Sequence, residues 1–127
     1  MAASEFGLSQ IGQIAVNAHD VDRAAAFYKD VLGMTMLFRA GQLAFFDAGG
    51  IRIMLDRPEN KEFDHPSSVL YFKVADIHQS HATLVSRGVK FEDNPHMIAR
   101  MPDHELWMTF FRDSENNVLA LMAEVRG

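Results

Sequence analysis

Arg52, His96, His104, Glu105 and Trp107 are the residues whose types and placement go furthest beyond what packing demands. Arg52 lies in the short apolar run IRIML, and a guanidinium is a forked donor array suited to a carboxylate or phosphate. The plainer reading is a strand-end arginine that reaches solvent or pairs with Asp47 or Asp56. Residues 96–108, HMIARMPDHELWM, bring together two histidines, two acids, an arginine and the only tryptophan. His104 shares strand parity with Leu106, Met108 and Phe110, and an inward neutral imidazole beside Glu105 could exchange protons with a ligand. Alternatively, His104 and Glu105 only cap or hydrogen-bond the segment. His96 with His104 is the candidate pair for a metal, without a clear third ligand. Of the other histidines, His19 adjoins a helix cap and His78 lies on an outer helix side, His81 falls in an inner stripe, and His65 lies in a connector. No Gly-rich phosphate loop, nucleophile elbow or zinc-binding helix motif is present.

The elements that must position these groups fit one domain spanning 1–127, with about half the residues apolar. With no cysteine there is neither a disulfide framework nor a thiolate metal site, and a reducing cytoplasm is the expected setting. The net charge of -5, with scattered Lys and Arg, argues against a nucleic-acid surface. No apolar run approaches the roughly 20 residues of a membrane span. MAASEFGLSQ lacks a basic patch followed by an apolar core, so no secretory signal is expected, and residues 1–9 are set aside. A small molecule is the expected partner.

Residues 11–18 alternate like a strand, Asp20 stands at a helix N-cap, VDRAAAFYKDVL carries an apolar stripe, and Gly33 stops it. Three β-like runs follow at 34–39, 42–47 and 51–55. After a charged connector at 57–66 the order restarts: strand 67–75, cap Asp76, helix IHQSHATLVSR, stop Gly88, then strands 89–93, 105–111 and 118–124. Aligning Asp20 with Asp76 and IRIML with VLALM makes the chain an internal duplication, module one at about 10–56 and module two at about 67–124. The extra length of module two falls on the His96–Trp107 segment, which is expected to be a lid or wall.

IAVNAHDVDRAAAFYKDVLGM resembles the opening strand and helix of the vicinal oxygen chelate superfamily, the glyoxalase and bleomycin-resistance-like group. DSENNVLALM is similar to that family's closing turn and strand. The resemblance covers residues 11–124 and implies a bacterial-type α+β fold of two βαβββ modules, forming curved mixed sheets around a cleft. It also implies a homodimer.

The resemblance locates the family's metal ligands on the first and last strand of each module. Here those positions are Gln13, Met54, Val69 and Ala120, none of them His, Asp or Glu. No metal is therefore expected there, and no other cofactor is indicated. Strand alternation puts Gln13, Asn17, Arg52, Met54, Tyr71, Lys73 and Met122 on the cleft side, with His96 and Trp107 added from the extra segment of module two as further ligand contacts. The resemblance then leaves two functions: a protein that binds a small anionic or oxygenated ligand without chemistry, or a lyase or isomerase using His104 and Glu105 or a displaced metal.

Overall fold

The computed structural model describes residues 6–126, so residues 1–5 of the stretch set aside above lie outside the described residues. The first module opens with β1 (Gln13–Asn17). Asp20 then accepts a hydrogen bond from the Arg23 amide at 3.0 Å, satisfying one of the donors that a helix start leaves unpaired. Helix α1 (Val21–Ala26) continues as a π-helical turn over Phe27–Val31. Gly33, at φ +74°, turns the chain in a conformation that side chains with a Cβ resist. Strands β2 (Thr35–Ala40), β3 (Leu43–Ala48) and β4 (Ile51–Asp56) complete the module.

The connector holds one 3₁₀ turn, Lys61–Phe63. The second module repeats the order with β5 (Leu70–Lys73) and α2 (Ile77–Ser86), whose Asp76 cap accepts from the Gln79 amide at 3.0 Å. Strands β6 (His96–Arg100), β7 (Glu105–Arg112) and β8 (Val118–Val125) follow. The sheets have matching orders, β1-β4-β3-β2 and β5-β8-β7-β6. In each, the first and last strands of the module run parallel and the other pairs antiparallel. Two four-stranded mixed sheets, each with a helix, are the α+β arrangement expected from the duplication.

One strand departs from expectation. Residues 89–93 make only a single bridge, Phe91 to Phe111, and the second strand of module two is His96–Arg100 instead. The cause is Asp93: its carboxylate accepts from the Thr109 hydroxyl at 2.8 Å and from the Phe110 amide at 3.0 Å. A side chain thus takes the β7 donor that a continuing strand would have used, and Pro95 follows. The segment 96–107, expected to be an inserted lid, is consequently the hairpin of β6 and β7.

The helices bury Val21, Ala24, Tyr28, Ile77 and Leu84 against Phe46, Phe111 and Leu119 in a core that both modules share. Polar links cross the same boundary. Buried Tyr28 donates to Asp113 at 2.7 Å, and the Asn117 side chain donates to the Asn17 carbonyl at 2.8 Å.

Candidate functional site

Each sheet has a helix-facing side and an open side. In the first sheet, alternation sends Val16, Ile53 and Leu55 to the helix, where they are buried, and leaves Gln13, Asn17, Arg52 and Met54 on the open side. The parallel register sets Gln13 beside Arg52. Arg52 donates through Nε to the Gln13 side-chain oxygen at 3.0 Å, and its guanidinium carbon lies 5.4 Å from the Phe45 ring centroid. Phe45 in turn stacks on Phe38, with centroids 4.3 Å apart and an interplanar angle of 20°. The Gln13 amide meets the Met54 sulfur at 3.6 Å.

Among the described residues, no carboxylate stands within ion-pairing distance of Arg52, whereas Arg23, Arg39, Arg100, Arg112 and Arg126 all have acidic partners. Asp47, opposite Arg52 in the β3–β4 register, instead accepts from the Gly50 amide at 3.2 Å. The open edge of the Arg52 guanidinium therefore faces solvent. Asn17 is engaged differently: its amide donates to Asp64 and to the His65 carbonyl, both at 3.0 Å, so it ties the connector to the first sheet.

The second sheet presents two rows on its open side. Tyr71, Ala120 and Phe110 are register neighbours, and the edge-to-face Tyr71–Phe110 pair at 5.9 Å covers an Ala120 with no exposed surface. The next row runs Lys73, Met122, Met108, His96 across all four strands. Lys73 lies 3.6 Å from Glu124, and the His96 ring lies 3.0 Å from the Asn94 carbonyl and 3.6 Å from Asp93.

At the hairpin end, His104 Nδ1 lies 2.7 Å from the Asp103 carboxylate, whose other oxygen accepts from Arg126 at 2.7 Å. Arg126 first, and then His104, hold the Asp103 carboxyl down at about 2. His104 is mostly covered and borders a cavity of about 420 Å³. Glu105 and Trp107 leave this company. Strand alternation turns them to the helix side, where Trp107 packs edge-on against His78 at 5.3 Å and donates to Glu105 at 3.1 Å, while Glu105 pairs with Arg100 at 2.9 Å. The expectation that Trp107 and Glu105 share one face with His104 is therefore not met. His96 and His104 are also separated. His96 pairs with Met108, four residues along β7 from His104, which at about 3.3 Å per residue is roughly 13 Å. No metal ion spans that distance, and among the described residues no group of three or more His, Asp or Glu is arranged to hold one.

A third polar cluster joins the connector to the turn before β8. His19 lies 2.7 Å from Asp64, whose carboxyl is lowered by the Asn17 amide and then by His19. Partial burial pushes Glu115 up, but the Arg23 side chain and the His19 and Asp20 amides outweigh it, leaving this carboxyl low as well. His81, expected to be packed, lies 4.2 Å from the Phe91 ring. Sequence reasoning missed Phe38, Phe45, Asp103 and Arg126. Only Asp103, next to His104, carried a local signal; the others depend on cross-strand register.

The model of the Glyoxalase/Bleomycin resistance protein/Dioxygenase superfamily matches residues 10–121. The chain belongs to this superfamily. A curated relative, the uncharacterized protein YraH of Bacillus subtilis, is 29% identical over 126 residues, covering 86% of this chain and 94% of that one. Among solved structures, the glyoxalase-superfamily fold here is similar to a lactoylglutathione lyase from Agrobacterium tumefaciens, at TM-score 0.72 and 25% identity, covering 91% and 94% of the two chains. It is also similar to a virulence protein from Salmonella typhimurium, at TM-score 0.77 and 19% identity, covering 94% and 100%. No described helix of this superfamily member is long and apolar enough to cross a membrane.

Proposed function

We propose that this superfamily member binds a small anionic or oxygenated molecule against the open faces of its sheets, with Arg52 as the anion anchor. The observation that carries the reading is the Arg52 guanidinium: it is oriented by Gln13 and Phe45, and no described acid pairs with it. A guanidinium already oriented loses little further freedom on meeting a carboxylate or phosphate. The open face of the second sheet supplies Tyr71, Phe110, Met108 and Met122, a surface suited to enclosing a ligand's apolar part.

The donor set argues against the family's usual metal. The Gln13 oxygen accepts from a permanent cation, Met54 offers a soft thioether, and Ala120 lies covered by aromatic rings, so nothing offsets the charge of a divalent ion. A second copy of the chain completes the cleft by bringing its second sheet over the first sheet of its partner, which would also cover exposed Phe38 and Tyr71. The cytoplasm is the proposed setting.

A thermal-shift screen of carboxylates, phosphates and thiol conjugates tests the binding reading, because a ligand of the native state raises the melting temperature. Anionic hits whose shifts vanish in Arg52→Gln support it; a screen in which no anionic hit depends on Arg52 overturns it.

A second reading, a lyase or isomerase of the glyoxalase-like group, is favoured by the 2.7 Å contact between His104 and Asp103. A carboxylate that fixes the imidazole leaves its other nitrogen to take a proton from a bound molecule. Under this reading His104→Gln abolishes turnover of a ligand without weakening its binding.

A further inference from the structure

On the opposite side of the second sheet from these faces, a groove of about 390 Å³ runs between the modules. Its floor is apolar and buried, made of Leu84, Phe111 and Leu121, and the end of the first module's helix supplies Leu32 and Met34 as a facing wall. Along the mouth stand Gln79 and Thr83, four residues apart on one side of α2, and Arg87 at the helix's C-terminal cap. Arg87 donates one Nη hydrogen bond to the Val31 carbonyl at 2.8 Å, which pins the guanidinium where the π-helical turn ends. Among the described residues no carboxylate lies within ion-pairing distance of it.

We infer that this groove is a second ligand site, for an aliphatic carboxylic acid whose chain lies against the partly exposed Leu32, Met34, Phe72 and Val74 and whose carboxylate meets Arg87. Charge complementarity selects the acid: the anchored Arg87, its other edge open, stands at the mouth beside the neutral Gln79, Ser80 and Thr83, Lys73 adds a second cation to the border, and no carboxylate lines the groove. The volume of about 390 Å³ accommodates an acid of medium chain length, and octanoate is taken as the probe. Because the two walls come from different modules, the ligand also clamps one module to the other and stabilises the folded chain.

Isothermal titration and thermal shift with octanoate, octanol and octylamine test the inference on the full chain. Octanoate is expected to bind and to raise the melting temperature, octanol to bind more weakly and octylamine not at all. Arg87→Gln should weaken octanoate by at least about tenfold, the loss of a charge-assisted contact. Since that change also removes the bond to Val31, a second variant is needed: Thr83→Trp, at an exposed helix position, should block the groove and abolish octanoate binding in a protein that still unfolds cooperatively. The titrations are repeated on Arg52→Gln protein, which lacks the open-face anchor; octanoate binding at the groove should persist there and remain sensitive to Arg87→Gln and Thr83→Trp, which separates the two sites. Absence of octanoate binding at millimolar concentration would overturn the inference. So would octanoate binding to Arg52→Gln protein that survives Thr83→Trp, or octanoate binding that is lost altogether in Arg52→Gln.

Discussion

Tyr28 links the two modules, because its ring belongs to the buried core beside the first module's helix and its hydroxyl reaches Asp113 in the second. Tyr28→Phe leaves the Asp113 oxygen short of a donor, although Asn117 still donates to it at 2.9 Å, and should cost about 1 to 3 kcal/mol in urea unfolding. Burial, and then the charge and hydrogen bond of Asp113, hold the Tyr28 hydroxyl protonated well above the usual tyrosine range. A raised folded value means that stability is intact below the unfolded value of about 10 and declines as pH rises beyond it. Equilibrium unfolding between pH 8 and about 11.5 should therefore show an alkaline decline that is shallower in Tyr28→Phe. Asp103 works in the opposite sense. Held at about 2, it contributes stability above the unfolded value of about 3.9 that is lost as pH falls toward 2, and Asp103→Asn should flatten that part of the acid limb.

The helices begin where Asp20 and Asp76 accept from the amides three residues on, so their removal is a matched pair of tests. Asp20→Ala and Asp76→Ala should each destabilise by about 1 kcal/mol in chemical denaturation. Both caps were legible in the sequence, as were the glycine stops and seven of the eight strands, because these depend on a residue and its near neighbours. The remaining strand was misplaced. Alternation alone favoured residues 89–93, and nothing local announces that the Asp93 side chain would claim the amide of Phe110, seventeen positions away. The same limit applies to the candidate site. The faces of Gln13, Arg52 and Tyr71 followed from parity, whereas the Phe45 ring under Arg52 and the Arg126 behind Asp103 arise from β3–β4 pairing and the β7–β8 hairpin end. Trp107 was assigned to the cleft as part of a supposed loop; once residues 105–112 form a strand, its parity with Thr109 and Phe111 sends it to the helix side.

At the scale of the whole molecule, two sheets of matching order each leave one face without a covering layer among the described residues, and their edges end in β1, β2, β5 and β6. A second copy is the covering we propose, and light scattering coupled to size exclusion at micromolar concentration should return twice the chain mass. Recovery of monomer alone would remove the partner's contribution to the cleft. The central claim, that the open face of the first sheet takes an anion through Arg52, is tested most directly by nuclear magnetic resonance on protein labelled with ¹⁵N and titrated with the strongest anionic hit of the thermal screen. The account predicts that the Arg52 Nε–Hε resonance and the Gln13 side-chain amide shift together along one saturating curve, with backbone amides of β1 and β4 following, and that the same titration leaves Arg52→Gln protein unmoved. Saturable binding in which the Arg52 and Gln13 resonances stay in place would contradict it.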